Sequence, residues 1–271
     1  MKIPILLYHD FRPDKLDVFN IEIKSREYVL RESVFISQMR WLFENGYRGI
    51  NLSIFIREYK KGRIDVCDTN DKMVVLAFDD GVRSNFSFVF PVLKKYNFAG
   101  VFFITVGLVG SHEMMTWEQI GEMHNAGMDI GSHTLTHSFP TELTVDQLKF
   151  ELVESKRLLE LKLESQVKFF SSPTGFYSRN LPVLARQAGY GAACFTKVAF
   201  NGVHTDLFHL NKIGIKRSFS LQLFQAIVEG DYYTLIILRI RQILRDGAKI
   251  VLGRKLYEYI KKVFLKRKLW K

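Results

Sequence analysis

The sequence predicts an α/β fold whose parallel strands close, or nearly close, into a barrel. Runs such as 73–78 and 98–105 are apolar throughout, without the polar alternation of a half-solvated sheet, so both faces must be covered. These runs alternate with helical segments along the chain, and the unit recurs often enough to favour a barrel over an open sheet. His9, Asp79-Asp80, His133 and Pro173 each fall just beyond a predicted strand, where such folds gather their chemistry.

The elements follow in order. Residues 3–8 form a buried strand ending at His9-Asp10, and 11–28, which have no clear period, read as a loop. Residues 33–45 are helical, with Phe35, Met39, Leu42 and Phe43 on one side and Gly46 as the stop. Residues 47–50 read as a short strand and 53–59 as a short helix. The strand over 73–78 delivers Asp79-Asp80-Gly81, where glycine permits a sharp turn. Residues 84–96 are a helix that Pro91 kinks or restarts, and 98–105 a strand. Thr116 with Gln119 makes a capping box that opens a helix to Asn125, and 128–130 is a strand ending at Gly131-Ser132-His133. A second box, Thr144 with Gln147, opens a helix running to Leu163. Strands over 167–170 and 190–195 flank a helix over 180–188.

A chain of 271 residues can bury one barrel-sized core or two small ones, and 47% apolar with 25% charged residues is ordinary for a soluble protein. Cys67 and Cys194 are the only cysteines, which excludes a disulfide framework and a cysteine-based metal cluster. The apolar opening is too short for a signal peptide and is soon broken by Asp10, Arg12 and Asp14. No uncharged stretch is long enough to span a bilayer, so a cytoplasmic location is expected. The charge is uneven. From Tyr233 to Lys271 twelve Lys/Arg face only Asp246 and Glu258, so this stretch holds all but one unit of the net +11.

Two adjacent carboxylates repel unless their pKa values separate or a cation holds one ionised, which suits one acid binding a metal and the other taking a proton. A polar turn with an aspartate capping the next helix is the plainer alternative. His133-Thr134-Leu135-Thr136-His137 places two imidazoles four residues apart, within reach of one ion. Two histidines and a carboxylate suit Zn²⁺, Fe²⁺, Co²⁺ or Ni²⁺; the alternative is histidines bonded to the backbone of a Ser/Thr loop.

Val75-Leu76-Ala77-Phe78-Asp79-Asp80-Gly81, then Gly100-Val101-Phe102-Phe103-Ile104, then Gly131-Ser132-His133-Thr134-Leu135-Thr136-His137 resemble, in order and spacing, the polysaccharide deacetylase family, the NodB-homology carbohydrate esterases. Leu6-Leu7-Tyr8-His9 resembles the branch whose barrel is circularly permuted, in which an N-terminal Tyr-His supplies a histidine that other members carry late in the domain. The resemblance implies a distorted (β/α) barrel of about seven strands, occupying residues 1–230, with a basic helical extension over 231–271. It implies that Asp80, His133 and His137 bind one divalent metal, zinc first and Ni, Co or Fe as alternatives. It further implies Asp79 as general base and His9 as a protonated general acid, removing N-acetyl groups from an acetylated amino sugar. The family's Arg-x-Pro-aromatic-Gly motif is here Ser171-Ser172-Pro173-Thr174-Gly175-Phe176-Tyr177. Ser171 stands where many members have the arginine that orients the base, and Pro173 to Tyr177 are the substrate-binding candidates, with the Thr174 N–H offered to an oxyanion.

Leu256, Ile260, Val263 and Phe264 fall at helical spacing apart from Lys255, Lys261, Lys262 and Lys266, the pattern of a basic amphipathic helix at an anionic membrane surface or of a helix packed on the barrel. The expected partner is an acetylated glycan, free or lipid-linked; no motif suggests nucleic acid. Two rival classes are a sugar-binding protein without activity, which the missing arginine would favour, and a metal-dependent glycosyltransferase, which would leave the histidine pair idle.

Overall fold

The structure, a computed structural model, describes residues 3–15, 26–62, 72–175 and 180–252. Strand β1 (Ile5–Tyr8) is followed by the short β2 (Asp10–Arg12) and β3 (Val29–Arg31), which pair with each other. Then come α1 (Glu32–Glu44), β4 (Tyr47–Ile50), α2 (Leu52–Lys60), β5 (Lys72–Phe78), α3 (Phe90–Lys95), β6 (Val101–Ile104), α4 (Trp117–Asn125), β7 (Asp129–Ser132) and α5 (Val145–Leu163). The chain continues through β8 (Phe169–Ser171), α6 (Leu181–Gln187), β9 (Ala192–Thr196), β10 (Leu210–Gly214), α7 (Leu221–Glu229) and α8 (Tyr232–Leu252).

Among the described residues every pairing between these strands is parallel. Strands β5 to β10 are neighbours in sequence order, β10 pairs with β1, and β1 pairs with β5, which closes a barrel of seven strands. Strand β4 pairs with the first half of β5 (Tyr47 opposite Lys72, Ile50 opposite Val75).

The side-chain period of two sorts the barrel into two cores. Ile5, Val75, Ala77, Val101, Phe103, Phe169, Ala192, Cys194 and Leu210 pack together inside, with Leu52 and Phe55 of α2 below them. Their neighbours Leu6, Val74, Leu76, Phe102, Phe170 and Ile213 point outward onto Phe35, Leu93, Ile120 and Leu152 of the surrounding helices. Both faces are therefore buried, which is why these strands carry no polar alternation.

Both capping boxes form, Thr116 with Gln119 and Thr144 with Gln147. Pro91 restarts its helix, since a π-helical turn over Asn85–Val89 gives way to α3, with the proline in the first turn where no N–H is needed. Phe43, expected inside, is 57% exposed and touches only the rim of the core through Tyr96. The stretch 11–28, expected as a loop, contributes β2 and the short 3-10 turn Arg26–Tyr28. Strand β10 and helix α7 are additions to the sequence reading; α8 falls within the helical extension expected over 231–271, of which residues 256–264 lie outside the described residues.

Candidate active site

The inward parity of β5 (Val75, Ala77) continues one step past its end, so Asp79 points into the barrel and is only 2% exposed. Asp80 (φ 77°) and Gly81 (φ 83°) then both adopt left-handed backbone. The turn sends the second carboxylate away from the first, toward the loop after β7.

That loop carries His133 and His137, and it is held from behind. Glu151 of α5, itself buried, accepts from the backbone N–H of Leu135 (2.8 Å) and of Thr136 (2.9 Å) and from the Thr136 hydroxyl (2.7 Å). Nδ1 of His133 lies 2.8 Å from the Ser171 carbonyl. A carbonyl only accepts, so Nδ1 carries the proton and Nε2 presents its lone pair to the site, the arrangement typical of a metal-ligating histidine. The Nε2 atoms of His133 and His137 stand 3.4 and 3.2 Å from Asp80 Oδ1. The three ligand atoms lie within 4.8 Å of one another. Two imidazole nitrogens and one carboxylate oxygen converging on one point fit a borderline divalent cation such as zinc. Burial pushes the Asp80 carboxyl up, but the close approach of His133 and His137 outweighs this and holds it well below the ordinary range.

Asp79 faces a different environment. Lys212, from the middle of β10, is fully buried, and its Nζ donates to Asp79 Oδ1 (2.7 Å), Asp79 Oδ2 (2.6 Å) and Ser171 Oγ (2.6 Å). The Ser171 hydroxyl donates in turn to the same carboxylate at 3.1–3.2 Å. Burial raises the Asp79 pKa, but Lys212 first, then His133 and His9, reverse the balance and hold it below its ordinary value. A cation thus stands beside the base even though Ser171 replaces the expected arginine. Sequence reasoning missed it. Its signal was a lysine at an inward position of the alternating run Leu210, Lys212, Gly214.

His9 follows β1 at the same mouth, half-buried, with its ring 4.8 Å from that of Tyr28. Its Nδ1 is enclosed and has no hydrogen-bond partner among the described residues. Three aspartates that could orient it by sequence are engaged elsewhere: Asp10 with Phe11 and Ser84, Asp14 with Ser33, and Asp206 with Phe208 and His209. Burial lowers the His9 pKa from its ordinary 6.5, against the pull of Asp80 and Asp79.

Pro173, Thr174 and Gly175 form a tight turn directly after Ser171, with Pro173 buried, Thr174 exposed and in left-handed backbone (φ 59°). Gly175 (φ 68°) packs so closely on Thr196 that a Cβ would overlap it. Phe176 and Tyr177 lie outside the described residues.

Residues 67–193 match the model of the polysaccharide deacetylase family. The chain is 28% identical over 232 residues to a Bacillus subtilis (strain 168) protein named, still provisionally, as the polysaccharide deacetylase YxkH; the match covers 84% of this chain and 77% of that protein. It is 30% identical over 119 residues to the poly-beta-1,6-N-acetyl-D-glucosamine N-deacetylase of Staphylococcus epidermidis, covering 42% of this chain and 39% of the relative. The Streptococcus pyogenes deacetylase PplD, solved in complex with acetate, superposes with a TM-score of 0.71 at 26% identity, over 84% of this chain and 98% of that one. The solved IcaB from Ammonifex degensii shares the fold (TM-score 0.67, 22% identity, 84% and 96% covered). Residues 67–193 thus match the polysaccharide deacetylase family, and the seven-stranded barrel that carries them is the fold of the solved deacetylase relatives.

Proposed function

We propose that the protein is a metal-dependent hydrolase that removes N-acetyl groups from an acetylated amino sugar in a polysaccharide or glycan precursor. One observation carries the reading: the buried Asp79–Lys212 pair lies beside the convergent atoms of Asp80, His133 and His137 at one mouth of the barrel. The similarity to N-deacetylases supports the substrate class.

Asp80, His133 and His137 would hold a divalent cation, which would supply Lewis-acid activation for the hydrolysis. Asp79, ionised and fixed by Lys212 and Ser171, accepts the water's proton as it attacks the acetyl carbon. The exposed left-handed turn at Thr174 presents backbone at the mouth, where an N–H stabilises the developing oxyanion. His9, beside both carboxylates, delivers a proton to the leaving nitrogen, and acetate and a free amine result.

The reading is tested by acetate release from N-acetylglucosamine oligomers with zinc-loaded protein and with Asp79→Asn. Failure of the wild type across a broad panel of acetylated glycans sinks it. The missing arginine no longer favours a sugar-binding protein without activity, because Lys212 occupies that role, and both histidines converge on Asp80, which leaves no idle pair for the glycosyltransferase reading. The finer proposals are a cytoplasmic location and a lipid-linked glycan met at the inner face of a membrane, the latter resting on the C-terminal charge.

A further inference from the structure

Helix α8 is apolar on two opposite sides. Leu235 and Leu238 pack on the barrel's outer core, Gln242 bonds the Thr196 carbonyl and the Val198 N–H (2.8 Å each), and Arg245 bonds the Tyr28 hydroxyl. These anchors fix the helix's rotation. At roughly 100° per residue, Tyr232, Tyr233, Ile237, Ile240, Ile243 and Leu244 then fall within an arc of about 140° on the side facing away from the barrel. They are 69%, 75%, 50%, 51%, 60% and 68% exposed. Arg239 and Arg241, both exposed, flank this stripe on either side. No helix among the described residues is long and apolar enough to cross a membrane.

We infer that the outward face of α8 docks on an anionic lipid surface, lying in the plane of the interface. The apolar stripe with arginines along both edges has the form of an interfacial helix, which buries its apolar side while its cations meet lipid phosphates. Charge decides against the other occupant, a second copy of the chain. A two-fold pairing of α8 on α8 would set the arginine rims of both copies together. The acidic residue on the helix, Asp246, lies toward the barrel side beside Arg245. The stretch from Tyr233 onward carries twelve Lys/Arg against two acids, which reinforces attraction to anionic lipid. The inference stands on α8 and does not depend on the deacetylase reading. Through Arg245, Tyr28 and His9 the same helix also abuts the candidate active site, so docking would bring that mouth to the surface.

The test uses full-length protein in vesicle flotation, with phosphatidylcholine alone or mixed with phosphatidylglycerol. Wild type should float with the anionic vesicles and at least tenfold less with neutral ones. The triple variant Ile237→Ser/Ile240→Ser/Leu244→Ser leaves the charge unchanged and should lose at least tenfold in partitioning, with circular dichroism and bound zinc as in wild type. Arg239→Gln/Arg241→Gln, at two exposed positions, should weaken binding to the anionic vesicles and reduce its salt dependence, and it keeps the test decisive if the triple variant misfolds. Wild-type partitioning by both variants would overturn the inference, as would a wild-type dimer in solution that the triple variant dissociates. Loss of flotation with acetate release intact, or the reverse, separates this surface from the proposed activity.

Discussion

Replacing Lys212 by methionine removes the cation from a carboxylate that has no water to fall back on. The pair is fully enclosed, with Nζ 2.6–2.7 Å from both oxygens of Asp79, so the loss leaves a buried charge with only the Ser171 hydroxyl. Breaking one side of such a pair costs about 3–5 kcal/mol, whereas removing both charges together is far milder. Two assays follow. In wild type the Asp79 pKa is held below its unfolded value, so the carboxylate stabilises the fold above the ordinary carboxylate range, and that stability is lost as pH falls through the folded pKa. In Lys212→Met burial dominates and the folded pKa rises above the unfolded one, so the variant is least stable near neutrality and recovers on acidification. The same rise, about 1–3 pH units from loss of a contacting charge, moves the acid limb of kcat/KM upward. Denaturant unfolding from pH 4 to 8, with Lys212→Met/Asp79→Asn as the fourth corner of a double-mutant cycle, measures the first effect; a pH–rate profile measures the second. An unmoved acid limb together with wild-type stability would refute this reasoning.

Other consequences follow from the same geometry. His133→Ala and His137→Ala should each abolish tight zinc binding by metal analysis while retaining the far-ultraviolet circular dichroism of the fold. Chelation should abolish acetate release, and Zn, Co or Ni should restore it. Glu151→Gln puts an NH₂ among three donors that all need an acceptor, so zinc affinity, read by chelator competition, should fall about 10–100-fold. Gly175→Ala meets both a left-handed backbone and the Thr196 side chain, and should cost about 1–3 kcal/mol in denaturant unfolding.

The fold was legible where burial on both faces removes polar residues from a strand, as in Met73–Phe78, and where a cap is written in side chains, as at Thr116 and Thr144. The convergence of Asp80, His133 and His137 was legible because they sit in compact motifs at strand ends. Lys212 was not, because nothing local marks it: its role comes from a register that sets β10 beside β1 and aims residue 212 at Asp79 across the barrel. Glu151 escaped for a related reason. Its acceptor function is set by how α5 packs beneath the loop, which no spacing along the chain records.

The most direct test of the central claim is acetate release by zinc-loaded wild type and by Asp79→Asn on acetylated glucosamine oligomers. The Asp80, His133 and His137 set, with Asp79 as base, predicts that wild type releases acetate with one free amine formed per acetate, and that Asp79→Asn keeps its zinc but loses about 10²–10⁴ in rate. Equal rates in the two proteins, or no acetate from wild type with zinc bound, would contradict it.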